Sequence, residues 1–184
     1  MKKLSIVATI ILICSIFMFV FPSKPERKLF GRVEAIKILP EDVKLLAKMD
    51  TGAKTSSLSA INIIEYEDAG RLRVAFSVVD PKRGIKFDRD LPVKRHAKIK
   101  KRKNRAAKPS GKPTFSVRPV VSITVELNGQ TQEIDVNLVD RRHFNYPMLF
   151  GREALIAFDG VVDPSKQQFS NYSGSLTSHY GKKS

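Results

Sequence analysis

The stretch Ala47-Lys48-Met49-Asp50-Thr51-Gly52-Ala53 decides how this sequence folds. The apolar run over residues 43–49 predicts a β-strand, and it ends at an acid that a tight Thr-Gly-Ala turn follows. A second apolar run begins at Leu58, so the pattern predicts a turn that holds a carboxylate at a strand end. Gly52 permits close backbone approach, and the amides around it can hydrogen-bond the acid. An Asx turn in which Asp50 only fixes its own backbone fits the same residues.

Short strands continue along the rest of the chain. Alternating or apolar patterns predict them over residues 30–38, 58–66, 71–79, 85–93, 117–127 and 130–139. Asn128-Gly129 is the strongest hairpin signal. One helix is predicted over residues 152–158, directly after Gly151. Many short strands with little helix predict an all-β fold, either a small barrel or a sandwich.

A second decisive stretch is Tyr146-Pro147-Met148-Leu149-Phe150-Gly151-Arg152, an apolar strand that leads through Gly-Arg into the helix. With the Asp50 turn, it resembles the retropepsin-like aspartic peptidases. The closer similarity is to a bacterial family often labelled putative ATP-dependent zinc proteases. Arg118-Pro119-Val120-Val121 and Leu138-Val139-Asp140-Arg141-Arg142 look like further motifs of that family. The resemblance spans residues 30–164.

The resemblance implies a small closed β-barrel with one short C-terminal helix. Its site residues would be Asp50 as the catalytic acid, Thr51, Gly52 and Ala53 in the supporting turn, and Gly151 and Arg152 as a structural brace. Aspartic peptidases need two carboxylates that share a proton. The chain has one Asp-Thr-Gly, so we expect a homodimer that pairs two Asp50 carboxylates across a twofold axis. The expected activity is that of an aspartic endopeptidase on peptide or protein substrates.

The name of that family also implies that its members require ATP and zinc. The sequence has no Gly-x-x-x-x-Gly-Lys loop, one cysteine, and three histidines that lie far apart. We therefore expect no cofactor and no metal site. The three hypotheses for function are an aspartic endopeptidase, a non-catalytic binding module and a metallopeptidase, and the last of these is the least favoured.

Several other residues are expected to have supporting or structural roles. A hairpin over residues 71–93, with its tip near residues 81–84, is the candidate for a flap over the site, and the basic insertion over residues 94–112 is the alternative. Asp140 is expected to pair with a neighbouring arginine, and His143 is expected to have no catalytic role. The acids with structural roles are Asp88, Asp90, Asp159 and Asp163.

The N-terminus looks like a membrane signal. Lys2 and Lys3 precede an uncharged apolar run over residues 4–21, and no convincing cleavage site follows. We expect an N-terminal transmembrane helix over residues 1–21 and a linker over residues 22–28. The domain over residues 29–164 would then be anchored in a bacterial inner membrane and face the periplasm. A cleaved signal with secretion is the alternative to the anchor. The orientation of the anchor also stays open, because the flanking charges barely discriminate between the two sides of the membrane.

The formal net charge of +15 is concentrated in one segment. Residues 94–112 hold ten Lys or Arg and no acid, which predicts a solvated insertion or a contact with an anionic lipid or polymer. The candidates for that contact are Lys98, Lys100, Lys101, Arg102, Lys103 and Arg105. No specific nucleic acid is expected, because the segment lacks aromatic stacking residues. A non-catalytic binding module that recruits an anionic partner is the alternative function, and residues 165–184 are predicted to form a flexible polar tail.

Overall fold

A computed structural model describes residues 27–100 and 115–167. This part is mostly β, as predicted, with one α-helix and eleven strands. The strands are β1 Lys28–Phe30, β2 Val33–Leu39, β3 Val43–Met49, β4 Ser56–Asp68, β5 Arg71–Asp80, β6 Ile85–Pro92, β7 Arg95–Lys100, β8 Phe115–Leu127, β9 Gln130–Val139, β10 Met148–Phe150 and β11 Gly160–Val162. Helix α1 is Arg152–Ala157. Within the two described ranges no helix could cross a bilayer, and the predicted N-terminal helix lies outside them.

One large sheet forms the body. Its strand order is β10-β3-β2-β8-β9-β4-β5-β6, with β7 added on β8, and β10 also pairs with β4. The pairings from β10 through β3, β2, β8, β9 and β4 therefore return to β10. Strands β1 and β11 form a separate parallel pair.

The apolar side chains of this circuit of strands point to a shared core. On β3 the residues Leu45, Ala47 and Met49 are buried, while Lys48 between them is exposed. Phe158, which follows α1, packs on Phe150 with ring centroids 5.6 Å apart. Both rings are fully buried. Each buried aromatic stabilises the fold by about 1.5–3 kcal/mol, which holds α1 against β10.

Both predicted hairpins are present. Asn128 and Gly129 have φ values of 51° and 74°, so both adopt the left-handed backbone that the tight β8–β9 turn requires. A single 3₁₀ turn, Pro81–Arg83, joins β5 to β6. Asp80 accepts a hydrogen bond from the Lys82 amide at 3.2 Å and so caps this turn.

Three segment boundaries differ from the sequence-based predictions. Part of the predicted basic insertion is strand β7, which pairs with β8 over residues 95–100, because alternate backbone groups find partners there whatever the charge of the side chains. Lys28, predicted to be linker, belongs to β1. Lys166 and Gln167, predicted to belong to a flexible tail, accept hydrogen bonds from the amides of Arg32 and Val33. Residues 101–112 and 168–184 lie outside the described ranges.

Candidate active site

Asp50 lies at the end of β3 in a tight turn. Its Oδ1 accepts the Gly52 amide at 3.0 Å, and its backbone carbonyl accepts the Ala53 amide at 3.2 Å. The side chain of Asp50 is 28% exposed, and Thr51 and Gly52 are exposed beside it. These bonds fix the carboxylate at the surface of the protein with one edge open. They are also the bonds of an Asx-type turn, so the local geometry by itself is compatible with both interpretations of the sequence.

Three backbone hydrogen bonds tie this turn to β10 and α1. The Asp50 amide donates to Phe150 at 2.9 Å, and the Arg152 amide donates to Ala53 at 2.8 Å. The Glu153 amide donates to Lys54 at 3.1 Å. The two stretches that the sequence singled out are therefore in direct contact. The Arg152 brace acts through its backbone N–H, while its side chain is exposed.

Gly151 allows this contact to be close. A Cβ at position 151 would lie 2.7 Å from the carbonyl carbon of Thr55 and 3.0 Å from the amide of Ser56. Any larger residue would push β10 away from the turn that follows Asp50, so glycine is required here for its size.

A buried polar layer lies beneath the turn. Ser56 and Asn137 are 0% and 2% exposed. The Ser56 hydroxyl accepts the Gly151 amide at 3.0 Å, and the Asn137 amide group donates to the Ser56 carbonyl at 2.6 Å. Asn137 in turn accepts from Arg118 at 3.1 Å. These hydrogen bonds link β4, β8 and β9 beneath the turn and hold Ser56 and Asn137 in place.

Two arginines in this layer have no acidic partner. Arg141 is 7% exposed and donates to the Ser57 hydroxyl at 2.9 Å and the Tyr146 carbonyl at 3.3 Å. Arg118 is partly buried, and its Nε has no hydrogen-bond partner. Throughout the described ranges, no carboxylate lies within 4 Å of either guanidinium.

The pKa values of both arginines reflect this uncompensated charge. Burial lowers the pKa of Arg118. Burial and repulsion from Arg118 lower the pKa of Arg141 to about 10, while attraction from Asp50 acts in the opposite direction. Lys48 adds a third cation, with its Nζ 3.5 Å from Oδ2 of Asp50. The site thus combines one surface carboxylate with an excess of positive charge.

The predicted flap hairpin contacts the rest of the protein near the start of β3, far from the Asp50 turn. Its tip donates from Lys82 to the Asn145 carbonyl at 3.1 Å and from Arg83 to the Lys44 carbonyl at 2.5 Å. Lys44 is near the start of β3, whereas Asp50 follows its end, so the strand separates them by about 20 Å. These contacts hold the tip of the β5–β6 hairpin at the end of β3 that is remote from Asp50.

The secondary acids lie in structural contacts. Asp140 accepts two hydrogen bonds at one oxygen from the Arg142 amide and Nε, each at 3.0 Å, as the sequence suggested. These bonds lower the pKa of Asp140 to about 2. Asp88 accepts from Ser77, and Asp90 accepts from Arg73. No carboxylate of the described ranges is hydrogen-bonded to Asp50.

Several of these residues were not assigned a role from the sequence. Arg118 and Arg141 lay inside recognised motifs, but nothing in a linear pattern shows that their side chains converge. Asn137 carried a usable signal, since it is an amide in the apolar run Val136-Asn137-Leu138-Val139. Of the anionic-partner candidates, Lys98 and Lys100 are exposed on β7, while Lys101, Arg102, Lys103 and Arg105 lie outside the described ranges.

Comparison with known protein families shows which family the chain belongs to. A family model described as RimB-like, retropepsin-like aspartic endopeptidase RimB, matches residues 29–172. The chain belongs to the RimB-like family. The resemblance to retropepsin-like aspartic peptidases is therefore confirmed. A RimB-like match over this range includes the Asp50 turn, the Arg118 motif and the Gly151 strand together.

Other relatives and one solved structure are similar over most of the same region. Proteins named probable alpha-L-glutamate ligase from Shewanella halifaxensis and Shewanella pealeana are each 31% identical over 120 residues, which is 65% of this chain. The one from Desulfotalea psychrophila is 30% identical over 125 residues. The matched region is 24% of each ligase, so this RimB-like chain spans about a quarter of their length. A Legionella pneumophila protein of unknown function has a crystal structure with a TM-score of 0.63 and 34% identity, covering 78% of this chain and 98% of that one.

Proposed function

We propose that this protein is an aspartic endopeptidase in which two copies of the chain pair their Asp50 carboxylates. The observation that carries the proposal is the Asp50 turn, which β10 and α1 brace through hydrogen bonds from Asp50, Arg152 and Glu153. Membership of a family described as aspartic endopeptidases supports it. The circuit of six paired strands supports the small closed barrel expected of such enzymes.

The second carboxylate would come from a second copy. The exposed Thr51 and Gly52 leave the turn open to an approaching protein surface. In a twofold dimer a residue near the axis meets its own counterpart, so two Asp50 side chains would face each other. Two carboxylates this close share one proton, which supplies a base and an acid at the same site.

The reaction would then proceed through these two groups. The ionised carboxylate removes a proton from a water molecule, whose oxygen attacks the scissile carbonyl carbon. The protonated carboxylate gives its proton to the carbonyl oxygen, which forms a neutral tetrahedral intermediate. The first carboxyl group then gives its proton to the peptide nitrogen, while the second carboxylate removes a proton from one hydroxyl of the intermediate. The C–N bond breaks, the amine and the carboxylic acid are released, and the pair again holds one proton.

We further propose that the substrate is an acidic peptide, with glutamate as the favoured residue. Arg118 and Arg141 are partly or fully desolvated cations with no carboxylate within 4 Å in the described ranges, and Asp50 attracts Arg141 from a greater distance. A buried unpaired cation is costly, so a carboxylate of the substrate would gain more here than at an exposed lysine. The glutamate named in the relatives' ligase activity fits this charge.

Attachment to a membrane through the apolar run over residues 4–21 remains part of the proposal. Confinement of the copies in a bilayer would favour their pairing. A bacterial inner membrane with the domain on the periplasmic side is the arrangement that we propose, with secretion if the segment is removed.

The test is cleavage of a diverse peptide mixture by wild type and by Asp50→Asn, with new termini counted by mass spectrometry. We expect wild type alone to produce new termini, mostly next to acidic residues. Equal cleavage by both proteins would exclude Asp50 as the catalytic acid. Silence from both, in folded and dimeric protein, would favour the binding-module alternative.

A further inference from the structure

A two-stranded ribbon projects from the large sheet where β7 pairs with the first half of β8. Residues 115–119 of β8 pair only with β7 within the described ranges. The register sets Lys98 opposite Val117 and Lys100 opposite Phe115. Directly opposed side chains share one face of an antiparallel pair. These four residues, Lys98, Lys100, Phe115 and Val117, are called the ribbon face below.

The ribbon face is exposed and combines apolar with cationic groups. Val117 is 59% exposed and Phe115 is 51% exposed. Lys98 and Lys100 are exposed as well, and no carboxylate lies within 4 Å of either in the described part of the chain. The other face of the same ribbon differs, since it carries buried Ala97 and partly buried Arg118. The exposed apolar groups are therefore confined to one side.

The neighbouring cations Lys94 and Arg95 have acidic partners, whereas Lys98 and Lys100 of the ribbon face have none within 4 Å in the described ranges. Lys94, at the base of the ribbon, lies 2.8 Å from Asp135. Arg95 lies 3.7 Å from Asp135 and 3.7 Å from Glu153. On the exposed face of the ribbon, positive charge is thus uncompensated towards the outer end of β7, where the apolar side chains are also exposed. A partner for this face must offer negative charge and an apolar environment together.

The ribbon base lies on the same side of the protein as the chain's entry into the fold. The Lys28 amide, in β1, donates to Asp159 just after α1 at 3.0 Å. Helix α1 and Arg95 line one cleft of about 410 Å³, through Glu153, Ala154 and Ala157. The six residues over 22–27 can extend by about 20 Å at most. The apolar run over residues 4–21 directly precedes them, so the ribbon base would lie near any bilayer that holds this run.

We propose that the ribbon face docks on the surface of a bilayer that contains anionic lipids. Phe115 and Val117 enter the headgroup region, and Lys98 and Lys100 contact the lipid phosphates. The sequence between the two strands adds further basic residues and no acid, which matches the same sign of charge. This inference is independent of peptidase activity, because it concerns how the domain is oriented beside a membrane.

The test uses the full chain reconstituted in nanodiscs of phosphatidylcholine, with or without added phosphatidylglycerol. The single cysteine is removed by Cys14→Ser, and an environment-sensitive fluorophore is attached at Val117→Cys. The matched control carries the fluorophore at Phe144→Cys, because Phe144 is 55% exposed and lies in the loop after β9 that contacts Lys82 at the tip of the β5–β6 hairpin. Circular dichroism checks that each variant is folded.

We expect a blue shift at position 117 with the anionic discs, quenching there by brominated lipid, and little change at position 144. High salt, or the double change Lys98→Gln and Lys100→Gln, should reduce the shift because part of the attraction is electrostatic. An unchanged spectrum at position 117, or equal shifts at both positions, would overturn the proposal. A shift produced by a single-stranded oligonucleotide without lipid would overturn it in favour of nucleic acid.

Discussion

The backbone N–H of Asp50 donates a hydrogen bond of 2.9 Å to the carbonyl of Phe150. This bond joins two stretches that are far apart in the sequence, and it places the candidate catalytic acid beside β10, the strand that leads into α1. The position of the Asp50 carboxylate therefore depends on how closely β10 approaches the turn. Gly151 sets that distance, because a side chain at this position would collide with the backbone of Thr55.

Gly151→Ala should therefore destabilise the protein and reduce activity. Forcing a methyl group into a packed contact costs about 1–3 kcal/mol, because the 2.7 Å approach to Thr55 must lengthen. Thermal unfolding and peptide cleavage measure the two effects. Ile156→Ala is the control on the same helix, since Ile156 is 73% exposed. Equal melting temperatures for Gly151→Ala and wild type would contradict the assignment.

Arg141→Met should separate activity from stability. Removing a buried cation that has no carboxylate within 4 Å in the described ranges relieves a desolvation cost, but it leaves the Ser57 hydroxyl and the Tyr146 carbonyl without this donor, so we expect only a modest fall in the melting temperature. Loss of a charge-assisted contact to the substrate corresponds to about 1.5–3 kcal/mol, or roughly tenfold to a hundredfold in kcat/KM for glutamate peptides. Peptides that carry glutamine in place of glutamate provide the comparison.

For those glutamine peptides, kcat/KM should change little between wild type and Arg141→Met. If Arg141→Met lowers cleavage of glutamate and glutamine peptides equally, Arg141 does not recognise the substrate carboxylate. Arg142→Gln is the matched control, because Arg142 is a neighbouring arginine that already has an acidic partner in Asp140.

The pair of Asp140 and Arg142 should make stability depend on acidic pH. The pKa of Asp140 is about 2 in the folded protein, below the value near 3.9 expected when unfolded. A depressed carboxyl pKa contributes stability above pH 4, and this contribution is lost as the pH falls towards 2. Both side chains are well exposed, so solvent screening keeps the effect small.

Urea unfolding of wild type and Asp140→Asn at pH 4 and at pH 2.5 measures this contribution. Wild type should lose more of its unfolding free energy than the variant over that interval. Arg142→Gln should resemble Asp140→Asn, because it removes the same contact from the other side. Parallel losses in wild type and Asp140→Asn would show that the pair contributes nothing.

Much of the fold could be predicted because its signals are local. Strand β3 was predicted at its observed bounds, since an apolar run ends at Asp50, and the Asn128-Gly129 turn has the backbone that its residues demand. Strand β7 was missed, because its lysines and arginines suggested a solvated insertion. Its pairing with β8 is set by backbone hydrogen bonds that composition does not reveal.

Some residues of the candidate site could likewise be predicted from the sequence, and others could not. Asp50 and Gly151 were found because their sequence contexts are distinctive, and their family resemblance was specific. The buried layer of Ser56, Asn137 and Arg118 was not found, because it depends on three strands meeting in space. The position of the β5–β6 tip also required the structure, since a hairpin signal does not state what the hairpin contacts.

The measurement that tests the central claim most directly is the activity of a mixed dimer. One copy is wild type, the other carries Asp50→Asn, and two different affinity tags isolate the mixed species from both parents. If the two Asp50 carboxylates form one catalytic pair, the mixed dimer should cleave glutamate peptides no faster than the Asp50→Asn homodimer. A mixed dimer that retains half of the wild-type activity would show that each Asp50 acts alone, and would contradict the paired mechanism.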